Sequence, residues 1–132
     1  MLLAWRSHLS SVSTHVISER AAAVDFKFSL SFLRAVTWYG LSRGSDDEKL
    51  QLLDGLLREP FLFCPYTIVS GDFNLDPLTV AEFLAHSGFP FLVFYPEQAT
   101  CKSDGEWRTI DFFLVSVRMA KFLNPLLFYM MF

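Results

Sequence analysis

From Val24 to Leu30 the chain alternates: Val24, Phe26, Phe28 and Leu30 are apolar, and Asp25, Lys27 and Ser29 stand between them. A period of two places the apolar set on one face of a strand, because successive side chains of an extended chain point to opposite sides. A second β-prone run, Leu33-Arg34-Ala35-Val36-Thr37-Trp38-Tyr39, follows after a few residues. The short separation predicts an antiparallel hairpin, with a connection that lacks the Gly or Asn of a tight two-residue turn. The chain is thereby committed to a sheet with a face to bury.

Helices and strands then take turns. Gly40 to Gly44 reads as a loop, and Ser45-Asp46-Asp47-Glu48 has the form of a capping box. In such a box the Ser45 hydroxyl accepts from the Glu48 N–H while the Glu48 carboxylate reaches back to the Ser45 N–H. Leu50, Leu53 and Leu57 follow at helical spacing, supported by Leu52 and Leu56, and Pro60 bounds the helix. Tyr66 to Ser70 predicts a short strand buried on both faces. Asp76-Pro77 predicts an N-cap and first helical residue, Val80, Phe83 and Leu84 the buried side, and Gly88 the end. Phe91 to Tyr95 is a further strand, Thr100 to Trp107 a polar loop, and Thr109 to Val117 the last strand.

This β-β-α-β-α-β-β order predicts an α/β fold of the α+β type with mixed strand directions. The 132 residues suit one domain, placed at 23–118. Residues 1–22, rich in Ser and Ala, carry no firm pattern, and 119–132 form an apolar C-terminal tail.

Hydrophobic residues make up 52% of the chain, with 15 Phe, which excludes a disordered protein. A domain this short buries a modest fraction of its surface. Either some Phe stay partly exposed, or a partner or further chain covers a sheet face. In the second case that face offers a route to self-association. The formal net charge of −3 disfavours a protein that holds nucleic acid by charge alone. An enzyme that meets a phosphate through a metal ion is less constrained. Cys64 and Cys101 form no CxxC pair and read as free thiols of a reducing compartment. The apolar start Met1 to Trp5 is too short for a secretory signal, and no apolar run is long enough to span a membrane. The expected location is intracellular, with the nucleus as one candidate.

Two local features could carry chemistry. The first is Gly71-Asp72-Phe73-Asn74 at the end of a predicted strand. Residues two apart on a strand face the same way, so Asp72 and Asn74 are expected side by side with Phe73 in the core. Gly71 permits a close backbone approach. The carboxylate can orient or deprotonate a water, or touch a metal, and the carboxamide can donate to a phosphate oxygen. The plain alternative is a turn, for which Asp, Asn and Gly are common. The second is Asp111, an acid in the otherwise apolar run Thr109 to Val117. It reads either as a carboxylate needing a buried partner or as an edge residue bonded to nearby backbone.

Gly71-Asp72-Phe73-Asn74, followed further on by Ile110-Asp111-Phe112-Phe113-Leu114-Val115-Ser116, resembles two signature segments of the exonuclease–endonuclease–phosphatase superfamily. That superfamily includes abasic-site endonucleases, DNase I-like nucleases, inositol-polyphosphate phosphatases and retroelement endonucleases. Thr100 and the polar loop before Arg108 fit the same pattern. Ala35-Val36-Thr37-Trp38-Tyr39 resembles the strand that ends in a phosphate-contacting Tyr, although Gly40-Leu41 replaces the Pro-containing sequence usual after it. The resemblance spans roughly residues 20–117 and is nearest to the retroelement-type endonucleases.

It implies part of a four-layer α-β-β-α sandwich, with the early strands and the last segment of that fold missing. It also implies divalent-metal-dependent phosphodiester hydrolysis, with Mg²⁺ (or Mn²⁺) as cofactor and nucleic acid or another phosphate ester as partner. In it Asp72 acts on the attacking water and touches the metal, Asn74 binds the scissile phosphate, Tyr39 bonds a phosphate oxygen, and Asp111 orients a catalytic His. The family's early Asn and metal-binding Glu find no match, since Glu19 stands in the unrelated context Ser18-Glu19-Arg20. No His follows Asp111; the histidines are His8, His15 and His86. The expectation is impaired turnover. The alternatives are an inactive truncated remnant and a non-catalytic interaction module.

Overall fold

The computed structural model describes residues 11–28, 31–62, 64–103 and 105–123. The expected hairpin is present: β2 (Ala21–Phe28) pairs antiparallel with β3 (Ser31–Tyr39), from Ala21 opposite Trp38 to Phe28 opposite Ser31. The alternating pattern's Ser29 and Leu30 lie outside the described residues. A strand also occupies part of the segment that sequence left without assignment. This β1 (Ser11–Ser18) pairs antiparallel with β2 and forms one edge of the sheet. Edge strands need no continuous apolar side, and the Ser-rich β1 has none, which hid it from a periodicity argument.

Ser45 caps α1 (Asp46–Leu57), its hydroxyl oxygen accepting from the Glu48 N–H at 3.2 Å. The Glu48 carboxylate accepts from the Ser45 hydroxyl at 3.3 Å, where the sequence suggested the Ser45 backbone N–H. The helix is the crossover that lets β4 (Thr67–Asp72) run parallel to β3. Asp76 caps α2 (Pro77–Ser87) by accepting from the Leu78 N–H at 2.8 Å, and Gly88 ends it in the left-handed conformation at φ 72°. Next come β5 (Phe91–Phe94), then β6 (Cys101–Ser103) and β7 (Glu106–Arg108), then β8 (Asp111–Ser116) and α3 (Val117–Leu123). The stretch read as a polar loop is therefore a small hairpin. The start of the apolar C-terminal stretch is helical, and residues 124–132 lie outside the described part.

The main sheet has the order β1-β2-β3-β4-β8-β5, with β8 antiparallel to both neighbours. On one face Ala23, Val36, Trp38, Val69, Phe112 and Leu114 pack with Leu53 and Leu57 of α1 and Val80 and Leu84 of α2. Full burial of a Leu such as Leu53 or Leu57 contributes roughly 1.5–3 kcal/mol. Phe73 stacks on Phe112 with ring centroids 4.2 Å apart inside that core. On the other face Met119 and Ala120 of α3 meet Val115, Ile68 and Phe113. β4 is buried on the helix side, at Thr67 and Val69, and half-buried on the other, at Ile68 and Ser70.

Candidate functional site

The site is assembled by strand register. Tyr39 is opposite Asp72 across β3 and β4, and Asp72 is opposite Asp111 across β4 and β8. Paired residues project to the same side, so the three form one row across neighbouring strands, each step about 4.8 Å. The row lies at the carboxyl ends of the parallel β3 and β4, the edge at which open α/β sheets bind ligands.

Two glycines make this corner possible. Gly71 has φ 151°, and a Cβ there would lie 1.8 Å from the Trp38 carbonyl oxygen, so only glycine lets β4 approach β3 as it does. Gly40 takes the place after Tyr39. A Cβ there would fall 2.6 Å from the Phe73 carbonyl oxygen, and the Gly40 N–H donates to the Asp72 carbonyl at 2.7 Å.

Asn74 reaches the corner by a route the sequence did not show. The strand stops at Asp72, and Asn74 is left-handed with φ 51°, a conformation Asn tolerates. Its N–H donates to Asp72 Oδ1 at 3.1 Å, forming the turn that competed with the strand reading. Its Nδ2 points toward the Gly40 carbonyl at 3.4 Å, and its own carbonyl accepts from Lys49 Nζ at 3.0 Å. Phe73 is buried as expected.

Asp111 matches neither of its sequence readings. β8 is internal to the sheet, yet Asp111 is the first residue of the strand and its side chain is exposed. Thr100 Oγ1 accepts from the N–H groups of Ile110 at 3.0 Å and Asp111 at 3.2 Å, which fixes where β8 begins.

The row carries negative charge, and Asp72 within it is half-buried. Burial pushes the Asp72 carboxyl above its ordinary value, and the Asp111 charge pushes it further. The Asn74 N–H and the Lys49 ammonium pull part of the way back. Sequence reasoning missed the two cations here. Lys49 sits in the first turn of α1. The Arg20 guanidinium lies 5.6 Å from the Tyr39 ring centroid and donates to the Tyr39 and Gly40 carbonyls, each at 3.2 Å. No local signal marks Arg20; the β2–β3 register alone brings it to Tyr39.

A divalent cation would offset the Asp72–Asp111 repulsion. Mg²⁺ in phosphate-handling sites is held by one or two carboxylates together with substrate phosphates, and the carboxylates the row offers are Asp72 and, opposite it, Asp111. Among the described residues no group of three or more His, Cys, Asp or Glu gathers for a metal. Beside the row a polar cleft of about 610 Å³ opens between the starts of α1 and α2, the chain after β5 and the β6–β7 hairpin. Asn74 lines it; Tyr39, Asp72 and Asp111 do not. Three of the four sequence candidates thus share the row, and the fourth bridges from it to the cleft. No helix among the described residues is long and apolar enough to cross a membrane.

No protein-family profile and no curated protein sequence matches the chain. Solved structures do. The chain is similar to D. rerio TDP2 in complex with a single-strand DNA product, with 12% identity and TM-score 0.60 over 82% of this chain and 53% of that one. It is similar to the endonuclease domain of TRAS1, a telomere-specific non-LTR retrotransposon, with 10% identity and TM-score 0.59 over 82% and 54%. It is also similar to the human Nocturnin catalytic domain with bound sulfate, with 18% identity and TM-score 0.56 over 82% and 48%. The fold is DNase I-like, as the resemblance implied, and the chain spans about half the length of these structures.

Proposed function

We propose that the Tyr39–Asp72–Asp111 row, with Asn74, is the phosphodiester-handling edge of a divalent-metal-dependent phosphodiesterase acting on nucleic acid, of the retroelement endonuclease type. The observation that carries this reading is the shared register position, which brings residues from three strands into one line beside Asn74. The DNase I-like fold, shared with nucleic-acid and phosphodiester enzymes, supports it.

In this reading the Tyr39 hydroxyl and the Asn74 carboxamide donate to phosphate oxygens, and Arg20 and Lys49 lend positive charge to the same corner. Asp72 orients the attacking water and takes its proton. Mg²⁺ or Mn²⁺, held by Asp72, would supply positive charge to the phosphate. Asp111 is the residue that would orient a catalytic His in this reading. An intracellular, nuclear setting belongs to the same reading.

The alternative is a remnant or interaction module that binds without turnover and self-associates through the sheet face bearing the row, where Val16 is 85% and Leu92 47% exposed. The test is hydrolysis of a small aryl phosphodiester and of a DNA strand with Mg²⁺ or Mn²⁺, beside sedimentation of the free protein. Slow metal-dependent hydrolysis that Asp72→Asn lowers about a hundredfold or more is expected. Hydrolysis that Asp72→Asn leaves intact would refute the assignment. Concentration-dependent dimers without hydrolysis would favour the module.

A further inference from the structure

The cleft shares Asn74 and Lys49 with the chemistry just described, and the rest of its lining is unlike that of a phosphate site. Asp46, Asp76, Glu97 and Glu106 line it together with the cations Lys49 and Arg108; Lys49 is already engaged with the Asn74 carbonyl, and the Asp76 carboxylate accepts from the Leu78 N–H. That excess of negative charge repels a phosphate. Two aromatic side chains line the same cleft, Tyr95 at 40% and Trp107 at 67% exposure. An indole left that far in water on a short hairpin contributes little to the core. One side of its ring is occupied by Lys102, its cross-strand neighbour, whose ammonium lies 5.7 Å from the ring centroid. That contact places a positive charge beside the ring.

An aromatic wall together with carboxylate acceptors suits a nucleobase. Every base has a face that stacks on an aromatic ring. The exocyclic amines of cytosine, adenine and guanine donate to carboxylates, as cytosine does to Asp or Glu in groove recognition. A base must be unpaired to enter with its hydrogen-bonding edge free. Asn74 stands at the junction of the row and the cleft, so a strand with one phosphate at the row has a neighbouring base within reach of the cleft.

We propose that the cleft is a base-binding subsite for single-stranded nucleic acid, in which an amine-bearing base stacks on Trp107, with Tyr95 as a second aromatic wall and the carboxylates reading its amine. This deepens the reading of the row and rests on it. The subsite makes the strand's bases, and not its charge alone, the source of affinity, which is what an acidic protein needs to hold a polyanion.

The experiment is fluorescence anisotropy of end-labelled single strands with the whole chain in EDTA, so that no turnover occurs. Oligodeoxycytidine, oligodeoxythymidine and an abasic strand of equal length are compared on wild type, Trp107→Ala and Trp107→Phe. Wild type binds oligodeoxycytidine most tightly and the abasic strand least. Trp107→Ala weakens oligodeoxycytidine binding roughly tenfold, the loss of one base-on-aromatic stack, while Trp107→Phe keeps most of it. The abasic strand does not distinguish the three proteins. Equal binding of the abasic strand and oligodeoxycytidine by wild type, or an unchanged affinity in Trp107→Ala, overturns the subsite. Asp72-dependent hydrolysis of the small aryl diester reports on the row separately, because that substrate has no base, so either reading can fail without the other.

Discussion

Replacing Gly71 by Ala tests the geometry on which the row depends. The added methyl would sit 1.8 Å from the Trp38 carbonyl oxygen, 2.8 Å from its carbon and 3.0 Å from the Trp38 nitrogen, all backbone atoms that no rotamer change can remove. Two costs add. The backbone at φ 151° belongs to a region L-residues rarely adopt, worth about 1–3 kcal/mol. Relieving the overlap means moving β3 from β4 in a packed sheet, worth about 1–3 kcal/mol more. A loss of about 4 kcal/mol is expected, against a total of about 5–15 kcal/mol for a domain. At about 3–5 °C per kcal/mol for a chain of this size, Tm falls by more than about 10 °C. Urea unfolding followed by circular dichroism measures it, with Gly55→Ala as control. A Cβ at Gly55 meets nothing within 4 Å, so that helical change should stabilise by up to about 1 kcal/mol. A Gly71→Ala loss below about 1 kcal/mol at an unchanged m-value would show that β3 and β4 do not approach this closely, and the alignment of Tyr39 with Asp72 would lose its basis.

Two further substitutions probe charge, with opposite pH dependence. The Arg34 guanidinium donates to both Asp25 carboxylate oxygens, at 2.7 and 2.8 Å, and holds that buried carboxyl below its ordinary value against the opposing effect of burial. A lowered folded pKa contributes stability that is present above the ordinary carboxylate range and lost as pH falls through the folded value. Asp25→Asn should therefore cost about 2 kcal/mol at pH 7 and little near pH 2 in thermal melts; a cost independent of pH would refute it. Asp72 behaves the other way. Its raised folded pKa contributes stability that is present in acid and lost as pH rises through the folded value. Asp72→Asn keeps an acceptor for the Asn74 N–H and removes a like charge opposite Asp111, so it should stabilise by roughly 0.2–1 kcal/mol at pH 7. The gain should vanish near pH 3, and destabilisation at pH 7 would contradict the assigned repulsion.

The readings that failed share a cause. Asp72 and Asn74 do lie together, but not by strand alternation: the strand ends between them and a turn closed by the Asp72 carboxylate brings Asn74 back. The two-residue spacing is compatible with both geometries, and only the left-handed Asn74 tells them apart. The β6–β7 hairpin escaped notice because its three-residue strands are exposed along β7 and show no apolar alternation.

What the sequence determined by itself is what a few neighbouring residues decide. Ser45 and Glu48 start α1, Asp76 and Pro77 start α2, Gly88 ends it, and the apolar period from Val24 makes β2, because caps and periodicity act within a turn or two of chain. Only the tertiary structure decided that Tyr39, Asp72 and Asp111 form a row, that Arg20 reaches Tyr39 and that Asn74 opens onto the cleft. Those facts depend on strand order and register, set by which apolar faces pack together across the whole chain, and a slip of one residue would turn each of these side chains to the other face of the sheet.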